Sequence, residues 1–331
     1  MNLPLRIDLL ERLGNYMLSN EKDWETVKQR ASEENAWFLP EFVELSTGKI
    51  ARTFLQRERL EAWIKPYRDR MEPAQPRQVG IVMAGNIPLV GVHDLIAVYI
   101  TGHRALVKAS SKDSVLVNHL AARLAEWSGD ADRIRFSELL RHCEAYIATG
   151  SNNSARYFEY YFGKYPNIIR RSRTSAAILT GTEGSADLEK LADDVYQYFG
   201  MGCRNVTKIF VPENYDFLPL LSAFGKYNYL SDHHKYRNNY DYNLALHILN
   251  GRQYMTNGSI LLVQDGSLFS PVGQLHYEHY RDYGALLDFL RNSPDLQALV
   301  GEGLIPFGAA QDPALDNYAD NVNTLEFLLR I

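Results

Sequence analysis

Short apolar segments alternate with helical segments between residues 79 and 179, and this pattern limits the chain to few folds. Each apolar segment has the length of a buried strand, and each helical segment carries apolar residues at helical spacing. Such alternation predicts an α/β fold with a parallel sheet covered on both faces, whose ligands bind at the carboxyl ends of the strands. The predicted strands are 79–83, 104–108, 144–148, 168–171 and 176–179, and the predicted helices between them are 87–100, 115–127 and 153–162.

Composition and charge exclude several classes of protein. The chain of 331 residues is 46% hydrophobic, which is enough for the core of one large or two ordinary domains. Its formal net charge of −5 argues against a nucleic-acid-binding surface, which needs a basic patch. The two cysteines, Cys143 and Cys203, cannot build a disulfide framework. The start of the chain lacks the pattern of a signal peptide, and no apolar run reaches about eighteen residues, so we expect a soluble cytoplasmic protein.

Residues 1–72 show helical patterns throughout, and we assign them no chemistry. Aromatic residues are frequent in this segment and are most simply core or docking residues. Pro40 interrupts the helical pattern. The predicted helices are 3–18, 24–35 and 49–63, and residues 71–77, which contain two prolines, are predicted to be a linker.

Cys203 lies between a predicted helix and a predicted strand. Residues 188–199 carry apolar side chains at helical spacing, and Gly200 and Gly202 are expected to end this helix. Residues 206–211 follow as a short strand. The flanking glycines leave room for a ligand close to the backbone. Taken alone, a cysteine of this kind is more often a small buried hydrophobe than a nucleophile.

Polar and glycine-containing segments follow three of the predicted strands. Residues 149–151 place a glycine, a hydroxyl and backbone N–H groups at a helix N-terminus, which suits a pyrophosphate. Residues 108–112 offer two ammonium groups and two hydroxyls, which suit a phosphate or a ribose. Residues 84–88 follow the first strand with the sequence Ala-Gly-Asn-Ile-Pro. Each segment alone is also a common turn, N-cap or solvated strand end, and no G-x-G-x-x-G fingerprint is present.

In this order, the segments resemble the aldehyde dehydrogenase superfamily and, more specifically, its LuxC family of long-chain acyl-CoA reductases. The resemblance begins at Val79 and extends to the C-terminus. Residues 306–313, PFGAAQDP, and the DNYADNVNTLEFL that follows are the part most similar to the reductase family. The other segments that carry the resemblance are GIVMAGNIPLVGVHDLIAVYITGHRALVKASSKDS at 80–114, ATGSN at 148–152, AILTGTEGSADLEKLADDVYQYFGMGCRN at 177–205 and LFSPV at 268–272.

The resemblance implies an aldehyde dehydrogenase-like fold and roles for individual residues. Together with the helical pattern of residues 1–72, it predicts a helical N-terminal segment and nucleotide-binding domain over 1–178, an α/β catalytic domain over 179–302 and a C-terminal return segment over 303–331. It places the nucleophile at Cys203 and the oxyanion-stabilising amide at Asn86. No metal site is implied. The cofactor-binding residues that it implies are Lys108, with Ser110 and Ser111 beside it, for the adenosine ribose, Gly150 and Ser151 for the pyrophosphate, and Phe269 for the nicotinamide.

Two positions depart from the superfamily pattern. The dehydrogenases carry a glutamate that activates water, whereas residues 168–174 contain no carboxylate. This difference disfavours oxidation of an aldehyde to a free acid, because hydrolysis of an acyl-enzyme needs a general base. It favours the reverse chemistry, in which acyl-CoA or another acyl thioester forms acyl-Cys203 and hydride from NAD(P)H releases an aldehyde. The second departure is Ser267, which stands where relatives place a glutamate on the nicotinamide ribose.

The sequence leaves alternatives open for both the cofactor and the function. NAD-selective relatives place a carboxylate three residues after the ribose lysine; here Ser111 has that position, so we expect NADPH (NADP) and regard NAD as less favoured. A catalytically silent nucleotide- or acyl-binding subunit with the same fold, and an acyl-phosphate reductase, are alternatives to acyl-CoA reduction. A homo-oligomer or an acyl-donor protein is the partner to expect, with neither nucleic acid nor a membrane span.

Two features of the expected site have more than one interpretation. The tyrosine-rich segment 227–254 lines or covers the acyl site, or else it supplies core or interface aromatics. The positive charge that would activate the cysteine could come from Arg204, His233 or His234.

Overall fold

The structure is a computed structural model that describes residues 1–73 and 75–331. The chain divides into two compact units. The first is formed by Met1–Ser172 with Pro313–Ile331, and the second by Arg173–Asp312. The predicted linker at 71–77 includes Ala74, which lies outside the described residues. The assignment of separate functions to three predicted domains stays a prediction.

The first unit is built on a five-stranded parallel sheet. Its strands are β1 (Gln78–Val82), β2 (Arg104–Lys108), β3 (Ile134–Phe136), β4 (Ala145–Thr149) and β5 (Asn167–Arg170), and their order across the sheet is β3-β2-β1-β4-β5. The order reverses between β1 and β4, which is where a doubly wound sheet opens a crevice for a ligand. The predicted parallel sheet is confirmed, but the strand predicted at 176–179 belongs to the sheet of the second unit, and β3 takes its place as the fifth strand here.

The helices of the first unit depart from the predicted bounds at two places. The helix predicted at 87–100 begins only at Val92, because the preceding residues form turns in which Leu89 takes the left-handed conformation, with φ 58°. The residues predicted as one helix at 49–63 belong to two helices, of which the first ends at Thr53 and the second begins at Arg57. Pro40 does not interrupt a helix but begins the first of these two, at a position where its missing N–H is not needed. The helices are α1 (Leu3–Met17), α2 (Lys22–Glu34), α3 (Pro40–Thr53), α4 (Arg57–Ile64), α5 (Val92–Ile100), α6 (Ser114–Ser128) and α7 (Asn152–Phe162).

The N-terminal helices and one face of the sheet share the main core of the first unit. Leu10 on α1 and Trp24 on α2 are fully buried in it, as are Ile81 on β1 and Val107 on β2. Burial of an apolar side chain of this size contributes about 1.5–3 kcal/mol to folding. The segment to which the sequence assigns no chemistry is therefore a main source of stability for the sheet of the first unit.

The second unit is built on a six-stranded sheet that is parallel except at one edge. Its strands are β6 (Thr174–Ile178), β7 (Val206–Pro212), β8 (Met255–Thr256), β9 (Leu261–Gln264), β10 (Gln274–Tyr280) and β11 (Leu296–Gly301), in the order β11-β6-β7-β10-β9-β8, with β8 antiparallel to β9. Its helices are α8 (Ser185–Tyr196), α9 (Leu218–Ala223), α10 (His234–Leu249) and α11 (Tyr283–Arg291).

The C-terminal segment returns to the first unit and ends in α12 (Thr324–Leu328). The indole Nε1 of Trp63 donates to the hydroxyl of Tyr318 at 2.8 Å. The guanidinium of Arg170, at the end of β5, pairs with the carboxylate of Asp94 on α5 and donates to Thr324 Oγ1 at 2.9 Å. Arg170 and Asp94 are 4% and 6% exposed, so the pair is buried and joins α5, β5 and α12.

Two kinds of feature are missing from the described residues. No helix in this part of the chain combines the length and the apolar character that crossing a membrane requires. His, Cys, Asp and Glu side chains within the same residues form no group of three or more that could hold a metal ion.

Candidate active site

Residues 197–205, which we call the cysteine turn, connect α8 to β7. The helix ends at Tyr196, before the glycine that was predicted to end it. Tyr198, Phe199 and Gly200 take the left-handed conformation, with φ of 55°, 58° and 72°, and three such residues cannot continue a right-handed helix. This conformation costs a non-glycine residue about 1–2 kcal/mol. Burial of both aromatic side chains offsets that cost, and strain of this kind is concentrated at functional sites.

Cys203 is partly exposed, and hydrogen bonds fix the backbone around it. Ser175 Oγ on β6 donates to the carbonyl oxygen of Cys203 at 3.0 Å. The N–H of Gly202 donates to Asn205 Oδ1 at 2.8 Å, and the N–H of Asn205 donates to the carbonyl oxygen of Gly202 at 3.0 Å. Cys203 therefore lies on an ordered turn as a partly exposed residue, and a nucleophile must be reachable by its substrate.

Arg204 supplies a positive charge beside the thiol. Burial lowers the pKa of Arg204, and the interaction with Cys203 opposes that change. A guanidinium stays protonated in proteins, so it acts here as a fixed cation, and a fixed cation favours the thiolate form of a neighbouring cysteine. The ring of His233 packs on Phe199, with centroids 4.8 Å apart, and its side chain caps α10. Arg204 is thus the leading candidate for the cation that activates Cys203, and His233 and His234 stay alternatives.

The loop that carries Phe269 is held against the start of β7. Thr207 Oγ1, on the strand that follows the cysteine turn, donates to the carbonyl oxygen of Leu268 at 2.6 Å. His276 Nδ1 lies 2.9 Å from the carbonyl oxygen of Ser267. The phenyl ring of Phe269 is 38% exposed. Within the second unit, these bonds bring the loop and the cysteine turn to the same end of β7.

Ser267 uses its hydroxyl within its own loop. Its Oγ donates to the carbonyl oxygen of Phe269 at 3.1 Å and accepts from the N–H of Phe269 at 3.2 Å. A glutamate at this position would be longer and charged, and it could not make this compact turn. The departure from the superfamily pattern at Ser267 therefore has a local structural role.

Three segments predicted to bind cofactor or substrate meet at one edge of the sheet in the first unit. Asn86 follows β1, Lys108 ends β2, and Gly150 follows β4. Because β1 lies between β2 and β4 and all three strands are parallel, their carboxyl ends are neighbours. Gly85 is necessary for this approach, since a Cβ atom there would lie 2.5 Å from the Cβ atom of Ser110. The structure thus brings the segments of Asn86 and Ser110 into contact.

A carboxylate lies near the lysine predicted to bind the ribose. Lys108 Nζ is 3.6 Å from Glu138 Oε2, and both side chains are exposed. Ser110 Oγ accepts from the N–H of Lys112 at 3.3 Å, and Ser111 is exposed. Sequence reasoning missed Glu138 because it missed β3, a strand of three residues of which only the first is buried. The signal that could have found it is its position two residues after the segment Ile134–Phe136, in which two apolar residues flank Arg135.

Ser151 caps α7. Its Oγ accepts from the N–H of Ser154 at 3.2 Å, so one of the N–H groups at this helix terminus is satisfied within the chain. A Cβ atom on Gly150 would lie 2.9 Å from both Ser154 and Phe158, so the glycine is required by the packing of the helix. The ordinary interpretation of Gly150 and Ser151 as a turn and an N-cap accounts for these contacts. Their binding of a pyrophosphate stays a prediction.

The region expected to hold a water-activating glutamate is occupied by cationic and hydroxyl side chains. Arg170 is buried against Asp94, as described above. Arg171 is exposed and pairs with Glu159 on α7. Arg173 donates to the carbonyl oxygen of Leu296 at 3.1 Å. These arginines take part in structural contacts of the described chain, in keeping with the lack of a general base among residues 168–174.

The six tyrosines of the segment 227–254 differ in burial: three are buried, Tyr229 and Tyr242 are exposed, and Tyr254 is partly buried. Tyr227, Tyr236 and Tyr240 are buried in the second unit, and the hydroxyl of Tyr236 donates to the carbonyl oxygen of Ser259 at 2.8 Å. Tyr242 is 65% exposed. The core interpretation therefore holds for the three buried tyrosines.

Asp113 supports the loop that carries Asn86. Its Oδ2 accepts from the N–H of the left-handed Leu89 at 2.6 Å, while Oδ1 is buried without a hydrogen-bond partner among the described residues. Burial raises the pKa of Asp113 to about 8, and the bond from Leu89 opposes this shift. A carboxyl group with a raised pKa is uncharged in the folded protein at neutral pH.

Replacement of Asp113 by asparagine is expected to stabilise the protein increasingly as the pH rises. The carboxyl ionises near pH 4 in the unfolded chain and near pH 8 in the folded one, so the wild type loses stability between these values by up to about 1.4 kcal/mol per pH unit. Asparagine keeps the acceptor for Leu89 and does not ionise. Urea unfolding of both proteins at pH 5 and pH 8 measures the effect. A stability difference that does not change with pH would contradict the assignment.

Comparison with known proteins identifies the family. The model of the acyl-CoA reductase (LuxC) family matches residues 25–216, which is more than half of the chain. The chain belongs to the LuxC family. A curated protein of similar sequence is the long-chain acyl-protein thioester reductase of Aliivibrio fischeri, with 23% identity over 172 residues, which cover 46% of this chain and 35% of that protein. The chain thus spans about a third of the length of the curated relative that it matches.

Solved aldehyde dehydrogenases share the fold of this LuxC-family chain. Aldehyde dehydrogenase 21 from Physcomitrella patens, solved with succinate, has a TM-score of 0.72 and 12% identity over 100% of this chain and 84% of that one. The indole-3-acetaldehyde dehydrogenase AldA of P. syringae, solved with NAD+ and IAA, has a TM-score of 0.69 and 14% identity over 91% of this chain and 72% of that one. The predicted aldehyde dehydrogenase-like fold is confirmed.

Proposed function

We propose that this LuxC-family chain reduces a fatty acyl thioester to an aldehyde with NAD(P)H, through an acyl-cysteine intermediate on Cys203. The observation that carries the proposal is a partly exposed cysteine on an ordered turn beside the cation of Arg204, in a chain of this family. The balanced reaction converts acyl-CoA, NAD(P)H and one proton into aldehyde, CoA and NAD(P)+.

Cys203 and Asn86 have the central chemical roles in this proposal. The Cys203 thiolate attacks the acyl carbonyl, the bond from that carbon to the CoA sulfur breaks, and the CoA thiolate leaves and takes up a proton. The nicotinamide, when bound, supplies hydride to the acyl-enzyme. The Asn86 amide and the backbone N–H of Cys203 stabilise the oxyanion at each addition. The thiohemiacetal oxyanion formed by hydride addition then collapses: the C=O bond of the aldehyde forms, the bond to the Cys203 sulfur breaks, and the thiolate is restored.

Exclusion of hydrolysis is part of the proposed mechanism. Water attacks an acyl-cysteine slowly unless a base is positioned beside it, and such a base accelerates the step by about 10²–10⁴-fold. Residues 168–174, where the dehydrogenases carry their glutamate, contain no carboxylate. An acyl-enzyme without this base persists until hydride arrives, which favours the aldehyde over the acid.

The proposed cofactor is NADPH, bound at the carboxyl ends of β1, β2 and β4. Lys108, Lys112 and the hydroxyls of Ser110 and Ser111 are suited to a 2′-phosphate. Glu138 opposes this preference, because its carboxylate lies 3.6 Å from the Lys108 ammonium and repels a phosphate. The proposal is that the cationic and hydroxyl groups outweigh this one exposed carboxylate.

Replacement of Glu138 by glutamine is expected to raise the preference for NADPH over NADH about tenfold. The substitution removes a negative charge that repels the nearly doubly charged 2′-phosphate of NADPH at short distance. Ser111→Glu is expected to shift the preference the other way. Fluorescence titration of both cofactors measures the ratio. Glu126→Gln, on the exposed side of α6 where Glu126 pairs with Arg123, is the matched control. A ratio unchanged by both substitutions would contradict the placement of the ribose beside Lys108.

A catalytically silent nucleotide- or acyl-binding subunit is the second candidate function. It is favoured by Ser267, whose hydroxyl is engaged in its own loop and which replaces the carboxylate that relatives place on the nicotinamide ribose. The partners proposed for either function are the acyl thioester itself and a second copy of the chain or an acyl-donor protein.

Consumption of NADPH in the presence of different acyl donors tests the proposed function. The donors are a long-chain acyl-CoA, an acyl group on a protein thiol and a long-chain acyl phosphate. We expect aldehyde formation, equimolar with NADPH oxidation, from at least one thioester. Aldehyde formed from the phosphate alone would indicate the acyl-phosphate reductase, and binding without turnover of any donor would indicate the silent subunit.

A further inference from the structure

Asn205 is fully buried and links both sides of the cysteine turn. Its Oδ1 accepts from the N–H of Gly202 at 2.8 Å. Its Nδ2 donates to the carbonyl oxygens of Asp194 and Gln197, each at 2.9 Å. One amide thus joins the last turn of α8 to the residue that precedes Cys203.

Asp194 extends this network to the segment most similar to the reductase family. Asp194 is also fully buried, and its carboxylate accepts from the N–H of Gly308 at 2.7 Å and of Ala310 at 3.0 Å. Gly308 has φ 82°, and a Cβ atom there would lie 3.1 Å from the Cβ atom of Lys190 on α8. Residues 306–310 of the PFGAAQDP segment are therefore fastened to α8, and through Asp194 and Asn205 to the cysteine turn.

Asn205 also engages backbone carbonyl groups at the end of α8. The last carbonyl groups of a helix carry partial negative charge, which disfavours a thiolate near that terminus. Cys203 follows the end of α8 by seven residues. The two N–H groups of Asn205 Nδ2 donate to carbonyl oxygens at this terminus. The partial negative charge of these oxygens is therefore partly compensated by the amide.

We propose that Asn205 is a positioning residue for Cys203, which fixes the cysteine turn and shields the thiolate from the C-terminal carbonyl groups of α8. This inference rests on the proposed nucleophilic role of Cys203. It assigns the PFGAAQDP segment a part in the site, since its backbone holds Asp194, and the carbonyl group of Asp194 orients Asn205. Asparagine is required because it supplies the acceptor for Gly202 and two donors for the helix end; an isosteric aspartate keeps the acceptor and replaces the donors by negative charge.

Alkylation of Cys203 by iodoacetamide between pH 5 and pH 10, followed by peptide mapping, tests the proposal. The Asn205→Asp variant is expected to raise the apparent pKa of the Cys203 thiol by one unit or more, so that alkylation at pH 7 slows about tenfold. Asn205→Ala, which adds no charge, is expected to slow it by a smaller factor, and it also serves if Asn205→Asp does not fold.

Asn167 provides the matched control. Its Nδ2 donates to the carbonyl oxygens of Phe162 and Tyr165, at 3.3 and 2.8 Å, and so caps the end of α7 as Asn205 caps the end of α8. Asn167→Asp is expected to leave the alkylation profile of Cys203 unchanged. An unchanged profile in both Asn205 variants, or an equal shift in Asn167→Asp, overturns the proposal. Alkylation needs neither acyl donor nor cofactor, so this outcome is independent of whether the protein reduces acyl thioesters.

Discussion

Replacement of Cys203 by alanine is expected to lower reductase turnover by about four orders of magnitude or more, because it removes the thiol on which the proposed acyl-enzyme forms. Stability should be nearly unchanged, since the substitution removes one sulfur atom from a partly exposed position. Asn86→Ala is expected to lower turnover by about a hundred- to a thousand-fold, the usual loss for one oxyanion donor, with little effect on cofactor binding. Steady-state oxidation of NADPH with the preferred acyl donor measures both effects.

Cys143 is the control for this experiment. It is 4% exposed and packs against Tyr146 on β4, and burial raises the pKa of its thiol. A thiol of this kind is unreactive, so Cys143→Ala should retain turnover. Activity in Cys203→Ala that equals the wild type would end the covalent mechanism, and loss of activity in Cys143→Ala alone would move the nucleophile to the other cysteine.

Replacement of Asp94 by alanine is expected to lower the free energy of unfolding by about 3–5 kcal/mol, because it leaves the buried guanidinium of Arg170 without its counter-charge. The loss should be larger than that from an exposed ion pair, such as the one between Glu213 and Arg281, where Glu213→Ala is expected to have little effect. Urea unfolding, followed by circular dichroism, measures both.

A double substitution separates the pair from the cavity that alanine leaves. Asp94→Leu combined with Arg170→Met removes both charges and keeps the volume, so it should recover most of the stability lost in Asp94→Ala. If the double variant is as unstable as Asp94→Ala, the loss comes from packing and the ion pair is not its cause.

The strands could be predicted from the sequence because their signal is local. The strand at Arg104–Lys108 has the predicted bounds, since its apolar residues lie between charged ends and are buried in the sheet. The start of α5 could not be predicted, because it depends on the positive φ of Leu89, which is held by the buried carboxyl of Asp113. The strand β3 was missed because a segment of three residues gives no periodic signal.

The candidate site could be predicted in part. Resemblance and strand order indicated Cys203 and the segment after β1, since strand ends of a parallel sheet meet at one edge. The role of Asn205 could not be predicted, because its side chain bonds to residues 8 and 11 positions away through a turn that no local pattern specifies. Glu138 was also missed because its contact is not local in sequence: only the pairing of β3 with β2 brings it near Lys108.

Intact mass measured after incubation with a long-chain acyl-CoA, without nicotinamide cofactor, tests the central claim most directly. We predict that Cys203 gains the mass of the acyl group, that free CoA is released, and that the adduct hydrolyses slowly because no base is positioned among residues 168–174. Addition of NADPH should then discharge the adduct as aldehyde. The account would be contradicted if Cys203 does not acquire the acyl group from acyl-CoA while an unrelated electrophile still modifies it. Rapid release of free acid would contradict the argument from the missing glutamate.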